Sequence, residues 1–244
     1  MRTLRIATWN MAYWQHKSQV EEAWDFYLND INADFYLFQE AKPLDNLLQD
    51  TKHLIWEPIG GHRNWGSGIY SKQYEINKEE IDTAFKGAVV IGNTSVENIS
   101  LTLVSIYGLM ENRGPTKGYS ISNLHRMLSD LTGIFNGLVN GRRNVILGGD
   151  LNASLQFDEI QRNNSHRIFF DRLEDFKLDN VYKLSNNEEF VQTLRHSKSN
   201  KPWQNDYFFI SRKLSKGYKK YEIMDNENIR RFSDHNILII QLEV

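Results

Sequence analysis

The 244-residue sequence contains no cysteine. Disulfides and thiolate metal sites are therefore excluded, and any metal must be held by carboxylate, amide, imidazole or water. Such an oxygen-rich donor set favours a hard divalent ion, Mg²⁺ or Mn²⁺. Proline occurs only four times and is scattered, glycine is moderate at 15, and neither builds a linker or low-complexity tract. No apolar run approaches the roughly 18 residues that span a bilayer. The opening "MRTLRIATWN" enters strand-like alternation directly, without an apolar signal core. A cytoplasmic protein with no transmembrane segment is the expectation. Charge of one sign is also lacking, with a formal net charge of −2. That balance says nothing for a nucleic-acid coat and leaves room for a local basic groove.

Hydrophobic residues make up 40% and charged residues 25%, which is ordinary globular usage rather than disorder. The length suits one α/β domain over residues 1–244. Residues 3–9 read as a strand ending at Asn10, and 18–30 follow helical spacing through Val20, Ala23, Trp24, Tyr27 and Leu28. "ADFYLFQE" (33–40) is nearly continuous in apolar character, as a strand covered on both faces should be. Further strands are expected at 65–72, 99–108, 205–211 and 237–244. "NVILGGDLNAS" (144–154) reads as a strand running into a turn at Gly148-Gly149. Ser120 is placed to cap one helix over 121–139, and another is expected over 166–178. Strands and helices alternate early while strands dominate late, which predicts a mixed-sheet α/β sandwich.

Polar residues recur at the ends of these strands. Asn10 and Glu40 end the first two, Asp150 and Asn152 follow the central one, Asp206 opens the next, and Asp234-His235 precede the last. Each alone has an ordinary explanation: a turn residue, a surface pair, a satisfied rim histidine. Together, at strand termini that converge on one cleft, they point to a carboxylate–amide–imidazole site.

"ATWNM", "DFYLFQE", "GGDLNAS", "NDYFFIS" and "FSDHNIL", in this order, resemble the endonuclease/exonuclease/phosphatase superfamily with the deoxyribonuclease I-type fold. The match runs from Thr8 to Leu238, and "GGDLNAS" with "SDHN" is its most specific part. The resemblance implies a four-layer sandwich, two packed mixed β-sheets with helices outside. It also implies roles. Glu40 matches the metal-ligand glutamate, Asn10 the asparagine beside it, and Asp234 the acid that joins the metal site. Asp150 and Asn152 match the pair that activates the attacking water and holds a phosphate oxygen. Asp206 matches the aspartate that orients the catalytic histidine, and His235 matches that histidine. Tyr107 sits where abasic-site endonucleases place a phosphate-contacting tyrosine.

These residue types suit phosphodiester hydrolysis on chemical grounds as well. A hard cation neutralises charge on the phosphate, Asp150 can take a proton from water, and His235 can donate one. Three features of particular branches are missing. No histidine stands in "VSIYGLMEN", and Ala12 occupies the place of an acid two residues after Asn10. Tyr107 is followed by Gly108, Leu109 and Met110 rather than by a Tyr-x-Pro-Asn pattern.

The leading expectation is a Mg²⁺- or Mn²⁺-dependent nuclease with nucleic acid as substrate. The alternative is a phosphatase or phosphodiesterase for a small or lipid-linked phosphate. A binding module on an inactive scaffold ranks below both, because such modules would lose the acids kept here, and a structural-only role ranks lower still. Three segments bear on substrate. "SRKLSKGYKKY" (211–221) carries Arg212, Lys213, Lys216, Lys219 and Lys220 and reads as a phosphate-tracking strip or a solvated face. "HRNWGSGIY" (62–70) and "RHSKSNKPW" (195–203) add basic residues with Trp65 and Trp203, for which core packing is the simpler expectation.

Overall fold

The structure, a computed structural model, describes residues 1–112, 119–185 and 190–244. Its strands, in chain order, are β1 (Thr3–Asn10), β2 (Phe35–Ala41), β3 (Leu54–Gly60), β4 (Arg63–Ser71), β5 (Asn77–Lys78), β6 (Val89–Val96) and β7 (Ile99–Tyr107). They continue with β8 (Glu111–Asn112), β9 (Tyr119–Ser120), β10 (Val145–Asp150), β11 (Leu178–Asn180), β12 (Asp206–Ser211), β13 (Tyr218–Met224) and β14 (Ile237–Glu243). One six-stranded sheet has the order β13-β14-β1-β2-β4-β3 and the other β11-β12-β10-β7-β6-β5. β1 runs parallel to β2 and β10 parallel to β7; the other pairings within these sheets are antiparallel.

Strand alternation sorts side chains between two cores. Leu4 and Ile6 of β1, Phe35 and Leu37 of β2, Ile146 of β10, Phe208 and Ile210 of β12, and Leu238 and Ile240 of β14 fill the space between the sheets. Their neighbours in sequence face outward. Trp9, Tyr36, Phe38 and Ile239 pack with Ala23 and Trp24 of helix α1 (Val20–Asp25). On the second sheet, Val145, Leu147, Tyr207 and Phe209 pack under helical residues Leu128, Phe135 and Phe169. Because both faces of the central strands are covered, those strands are apolar almost throughout. The result is the expected mixed α/β sandwich of two packed sheets with helices around them.

Several local expectations change. Gly148 and Gly149 lie inside β10 and form no turn. A Cβ on Gly148 would stand 2.6 Å from the Phe208 ring, and one on Gly149, at φ +150, only 2.0 Å from the Ile106 carbonyl oxygen. The expected helix over 121–139 is divided into α3 (Ser122–Asp130) and α4 (Thr132–Val139), after the short α2 (Asp45–Leu48) earlier in the chain. Ser120 does accept the Ser122 N–H at 3.1 Å. The helix expected over 18–30 is α1 prolonged by a π-helical turn over Phe26–Asp30. The sequence pattern does not point to β3, β6 or β13, nor to the short β5, β8, β9 and β11. β3 contains Pro58 and tolerates it as an edge strand, while β13 is an edge strand rich in lysine. The remaining helices are α5 (Leu155–Gln161), α6 (Ser165–Asp175), α7 (Val181–Ser185) and α8 (Glu227–Phe232). Among the described residues no helix is long and apolar enough to cross a membrane.

Candidate active site

Alternation also decides what gathers at one end of the sandwich. Continuing the inner-face positions of β1 from Leu4 and Ile6 arrives at Thr8 and Asn10; continuing those of β10 from Ile146 arrives at Asp150. In β12 the same rule leads back from Phe208 to Asp206. Register places Asp150 directly between Tyr107 of β7 and Asp206 of β12. β14 begins where β1 ends, with Leu238 opposite Thr8, so Asp234 and His235 enter at that same end.

Glu40 reaches the site by a different device. Gln39 points inward, its amide donating to Ser105 Oγ at 2.9 Å, so alternation alone would send Glu40 to the outer face. The β2–β4 register shifts between Phe38 and Ala41, and Glu40 takes φ 46. This bulge turns the carboxylate into the cleft. A left-handed conformation costs a branched-chain-free residue such as glutamate about 1–3 kcal/mol, held here by Met11 N–H to Gln39 O and Tyr13 N–H to Glu40 O, each 2.9 Å.

Asn10 ties the carboxylates together. Its Nδ2 donates to Glu40 Oε1 at 3.3 Å and to Asp150 Oδ2 at 2.9 Å, while its Oδ1 accepts the Ala12 N–H at 3.0 Å. Asn152, also left-handed at φ 49, donates its backbone N–H to Asp150 Oδ1 at 2.9 Å and its amide to Asp150 Oδ2 at 3.2 Å. Both oxygens of Asp150 are therefore fixed. Beyond it, His235 Nε2 stands 3.8 Å from Asp150 Oδ2, and its Nδ1 meets the two oxygens of Asp206 at 2.9 and 3.1 Å. Asp206 is held in turn by its backbone N–H, which donates to Thr193 Oγ1 at 3.0 Å.

Burial and charge oppose one another at these groups. Asp150 is 1% exposed, and burial pushes its carboxyl up to about 7 against the pull of His235. Burial disfavours charge on His235, yet Asp206 and then Asp150 outweigh it and push the imidazole up to about 10. This shift favours the charged imidazole, whose Nδ1 faces Asp206 and whose Nε2 faces Asp150. Burial also raises Glu40, although Tyr107, Asn10 and Trp14 all hydrogen-bond its carboxylate. Tyr107 is raised well above the usual phenol range, first by burial and then by Glu40 and Asp150, so it remains a neutral donor.

Asn10, Glu40, Tyr107, Asp150, Asn152, Asp234 and His235 line one cleft of about 430 Å³; Asp206 lies behind His235. Ligand atoms of Asp150, Asp206 and His235 fall within 4.8 Å of one another, a grouping with metal-site dimensions. The Nδ1–carboxylate hydrogen bond between Asp206 and His235 makes that trio a proton-holding chain as well. The oxygen-only set of Glu40 and Asp234 offers the harder donors. Asp234 Oδ1 is buried with no hydrogen-bond partner among the described residues, stands 4.0 Å from His235 Nε2 and lines the same cleft as Glu40; a carboxylate oxygen left without a donor fits a divalent cation.

The sequence assigns no site role to several residues that support these groups. Trp14 Nε1 donates to Glu40 Oε2, and Gln15 Nε2 to Asp234 Oδ2 at 3.4 Å. Arg195 pins the loop that carries Asp234 and His235: its backbone N–H donates to Asp234 O at 2.8 Å and its guanidinium to Ser233 O at 2.8 Å and to Asn236 Oδ1. Local sequence could not place these partners, which come from elsewhere in the chain. Trp65 and Trp203 are packed, as the simpler expectation held: Trp65 edges onto Tyr107 at 5.8 Å and Trp203 stacks on Phe157 at 4.5 Å.

The basic segment at 211–221 lies at the opposite end of the sheets. Arg212 follows β12 six residues beyond Asp206, roughly 20 Å away along the strand. Arg212 pairs with Asp179, Lys219 with Glu243 and Lys220 with Glu222. The segment is a solvated face.

The model of the endonuclease/exonuclease/phosphatase family matches residues 7–235. The chain belongs to that family. No curated protein matches the sequence. Among solved structures, an AP endonuclease from Leishmania major is similar at a TM-score of 0.68 and 15% identity, over 100% of this chain and 88% of that one. An AP endonuclease from Archaeoglobus fulgidus gives 0.68 and 16%, over 99% and 100%. A 3′ phosphatase from Neisseria, solved with a product DNA hairpin, gives 0.69 and 16%, again over 99% and 100%. At such identities the likeness establishes the fold. Members of this family are phosphoric-ester hydrolases, and the chemistry particular to this chain rests on its own residues.

Proposed function

We propose that the protein is a divalent-metal-dependent phosphodiesterase that hydrolyses nucleic acid. The observation that carries this reading is the buried chain Asp206–His235–Asp150 opening onto a cleft shared with Glu40 and Asp234. Asp150, held by Asn10 and Asn152, removes the proton of the attacking water, a role worth roughly 10²- to 10⁴-fold. His235, kept charged by Asp206, donates from Nε2 to a phosphate oxygen or to the departing oxygen as the P–O bond breaks. Tyr107 supplies a neutral hydroxyl at the same wall. Held by Glu40 and Asp234 with Asn10 beside them, Mg²⁺ or Mn²⁺ would neutralise the charge developing on the phosphate.

Nucleic acid is favoured by the neighbours whose names specify AP sites or a DNA product. A small or lipid-linked phosphate remains the second reading, because the strongest basic segment stands away from the cleft and adds no tracking surface there. A panel of single-stranded DNA, plasmid, abasic duplex, RNA, bis(nitrophenyl) phosphate and inositol phosphates, each with Mg²⁺ and Mn²⁺, tests the choice. Turnover of a polymer substrate is expected. Turnover confined to the inositol phosphates would move the second reading ahead.

A further inference from the structure

Trp14 is 53% exposed, an unusual state for the largest apolar side chain, and it lines the candidate active-site cleft. It is not a loose surface residue. Its indole N–H is fixed on Glu40 Oε2, so the ring is oriented by a group at the centre of the site. The loop beneath it is bolted at several points: Tyr13 N–H to Glu40 O at 2.9 Å, Gln15 N–H to Ala12 O at 2.9 Å, and Gln15 Nε2 to Asp234 Oδ2 at 3.4 Å. Ala12 holds φ 45 to make this turn. A pinned indole loses little entropy when a flat ligand covers its face.

The same cleft holds a second exposed apolar side chain, Met110 at 37%, and a guanidinium, Arg63, stacked over Trp65 at 5.4 Å. Phosphate alone has no use for an exposed indole and a thioether. A ligand joining a flat aromatic ring to a phosphate uses all three. A base inside a duplex has both faces covered by its neighbours, so only an unpaired or extruded base can lie on the indole.

We infer that Trp14 is a stacking platform for an unpaired nucleobase adjoining the phosphate in the cleft, which makes single-stranded or locally opened nucleic acid the substrate class. This rests on the phosphodiesterase reading above and narrows it. Trp14 has two separable properties, a π-face and an N–H. Trp14→Phe keeps a face and loses the N–H to Glu40; Trp14→Ala loses both.

The experiment is equilibrium binding of a fluorescent oligothymidylate to the full chain, with Ca²⁺ in place of Mg²⁺ to hold back hydrolysis. A matched oligomer of abasic sugar-phosphate units is the control. Trp14→Ala should bind oligothymidylate roughly 5- to 100-fold more weakly, the range for one lost base–aromatic stack. It should bind the abasic oligomer as wild type does, and Trp14→Phe should keep most of the affinity. Wild-type fluorescence should be quenched by oligothymidylate more than that of Trp14→Phe. Equal losses for both oligomers, equal losses in Phe and Ala, or no loss at all would overturn the inference. So would Trp14-dependent partitioning to sphingomyelin-containing vesicles without oligonucleotide binding. Turnover of oligonucleotide and bis(nitrophenyl) phosphate by the wild type is scored separately. If both are absent the phosphodiesterase reading fails, whereas turnover with Trp14-independent binding removes the stacking platform alone.

Discussion

At the scale of single residues, His235 is the group whose state is most sensitive to its surroundings. Burial acts against its charge, and Asp206, 2.9 Å from Nδ1, does most to restore it. In the proposed role of proton donor it works only while protonated, so activity should fall as pH rises through its raised pKa, about 10. Asp206→Asn keeps a hydrogen-bond acceptor and removes the charge. The alkaline limb of the kcat/KM profile should then move to lower pH by roughly 1–3 units, the effect of one close carboxylate. An unmoved limb would show that His235 is not the acid. Asp150→Asn removes the proposed base with little change of shape and should lower kcat by roughly 10²-fold or more, as should His235→Ala. Because the two act as one unit, single-turnover rates of the double variant should show less than multiplicative loss. Near-wild-type turnover in either single variant would remove that residue from its assigned role.

At the scale of elements, the central strand β10 delivers Asp150 and is built around two glycines that cannot be exchanged. Gly149→Ala would drive a Cβ into the Ile106 carbonyl, a backbone atom that has nowhere to move, and Gly148→Ala would press on Phe208 and Leu37. Gly148→Ala should cost about 1–3 kcal/mol in urea unfolding and Gly149→Ala more. The junction of α5 and α6 has its own sensitivity. His166 is buried against Phe157, accepts the Ser154 N–H on Nδ1 at 3.2 Å, and is pushed by burial from 6.5 down to about 4. The unfolded chain takes up this proton below about pH 6.5 and the folded chain resists until about pH 4. Stability is therefore present above 6.5 and lost as pH falls toward 4, by on the order of 3 kcal/mol in all. Urea midpoints of wild type should drop between pH 7 and pH 5 more than those of His166→Gln; parallel drops would contradict it. The strand-end residues were legible because each sits beside an apolar run and alternation fixes its face. Glu40 was legible as a residue but not as a bulge, since a glutamate at φ 46 leaves no mark in local sequence. β3 and β6 were missed because Pro58, Gly92 and Asn93 interrupt their patterns. Gly92 is required there by Ile76, whose side chain would lie 2.4 Å from a Cβ. Trp14, Gln15 and Thr193 act through partners distant in sequence, so no motif announces them, and the basic segment that begins at Arg195 does not reveal that Arg195 pins the Asp234–His235 loop.

At the scale of the whole molecule, the sandwich separates its charged features. The cleft with Glu40, Asp150, Asp234 and His235 opens at one end of the sheets, and the lysines of 213–220 lie toward the other. Replacing Lys213, Lys216, Lys219 and Lys220 together by alanine should therefore leave the salt dependence of oligonucleotide binding unchanged; a flatter slope would return that face to the substrate path. In the proposed mechanism a divalent ion on Glu40 and Asp234 enables hydrolysis by Asp150 and His235. Its most direct test is turnover of bis(nitrophenyl) phosphate by protein stripped with EDTA, as Mn²⁺ is added back to wild type and to Glu40→Gln. No turnover is expected without metal, with saturable recovery in wild type and recovery in Glu40→Gln only at much higher Mn²⁺. Full turnover of verified metal-free protein, or identical Mn²⁺ dependence in the two, would contradict it.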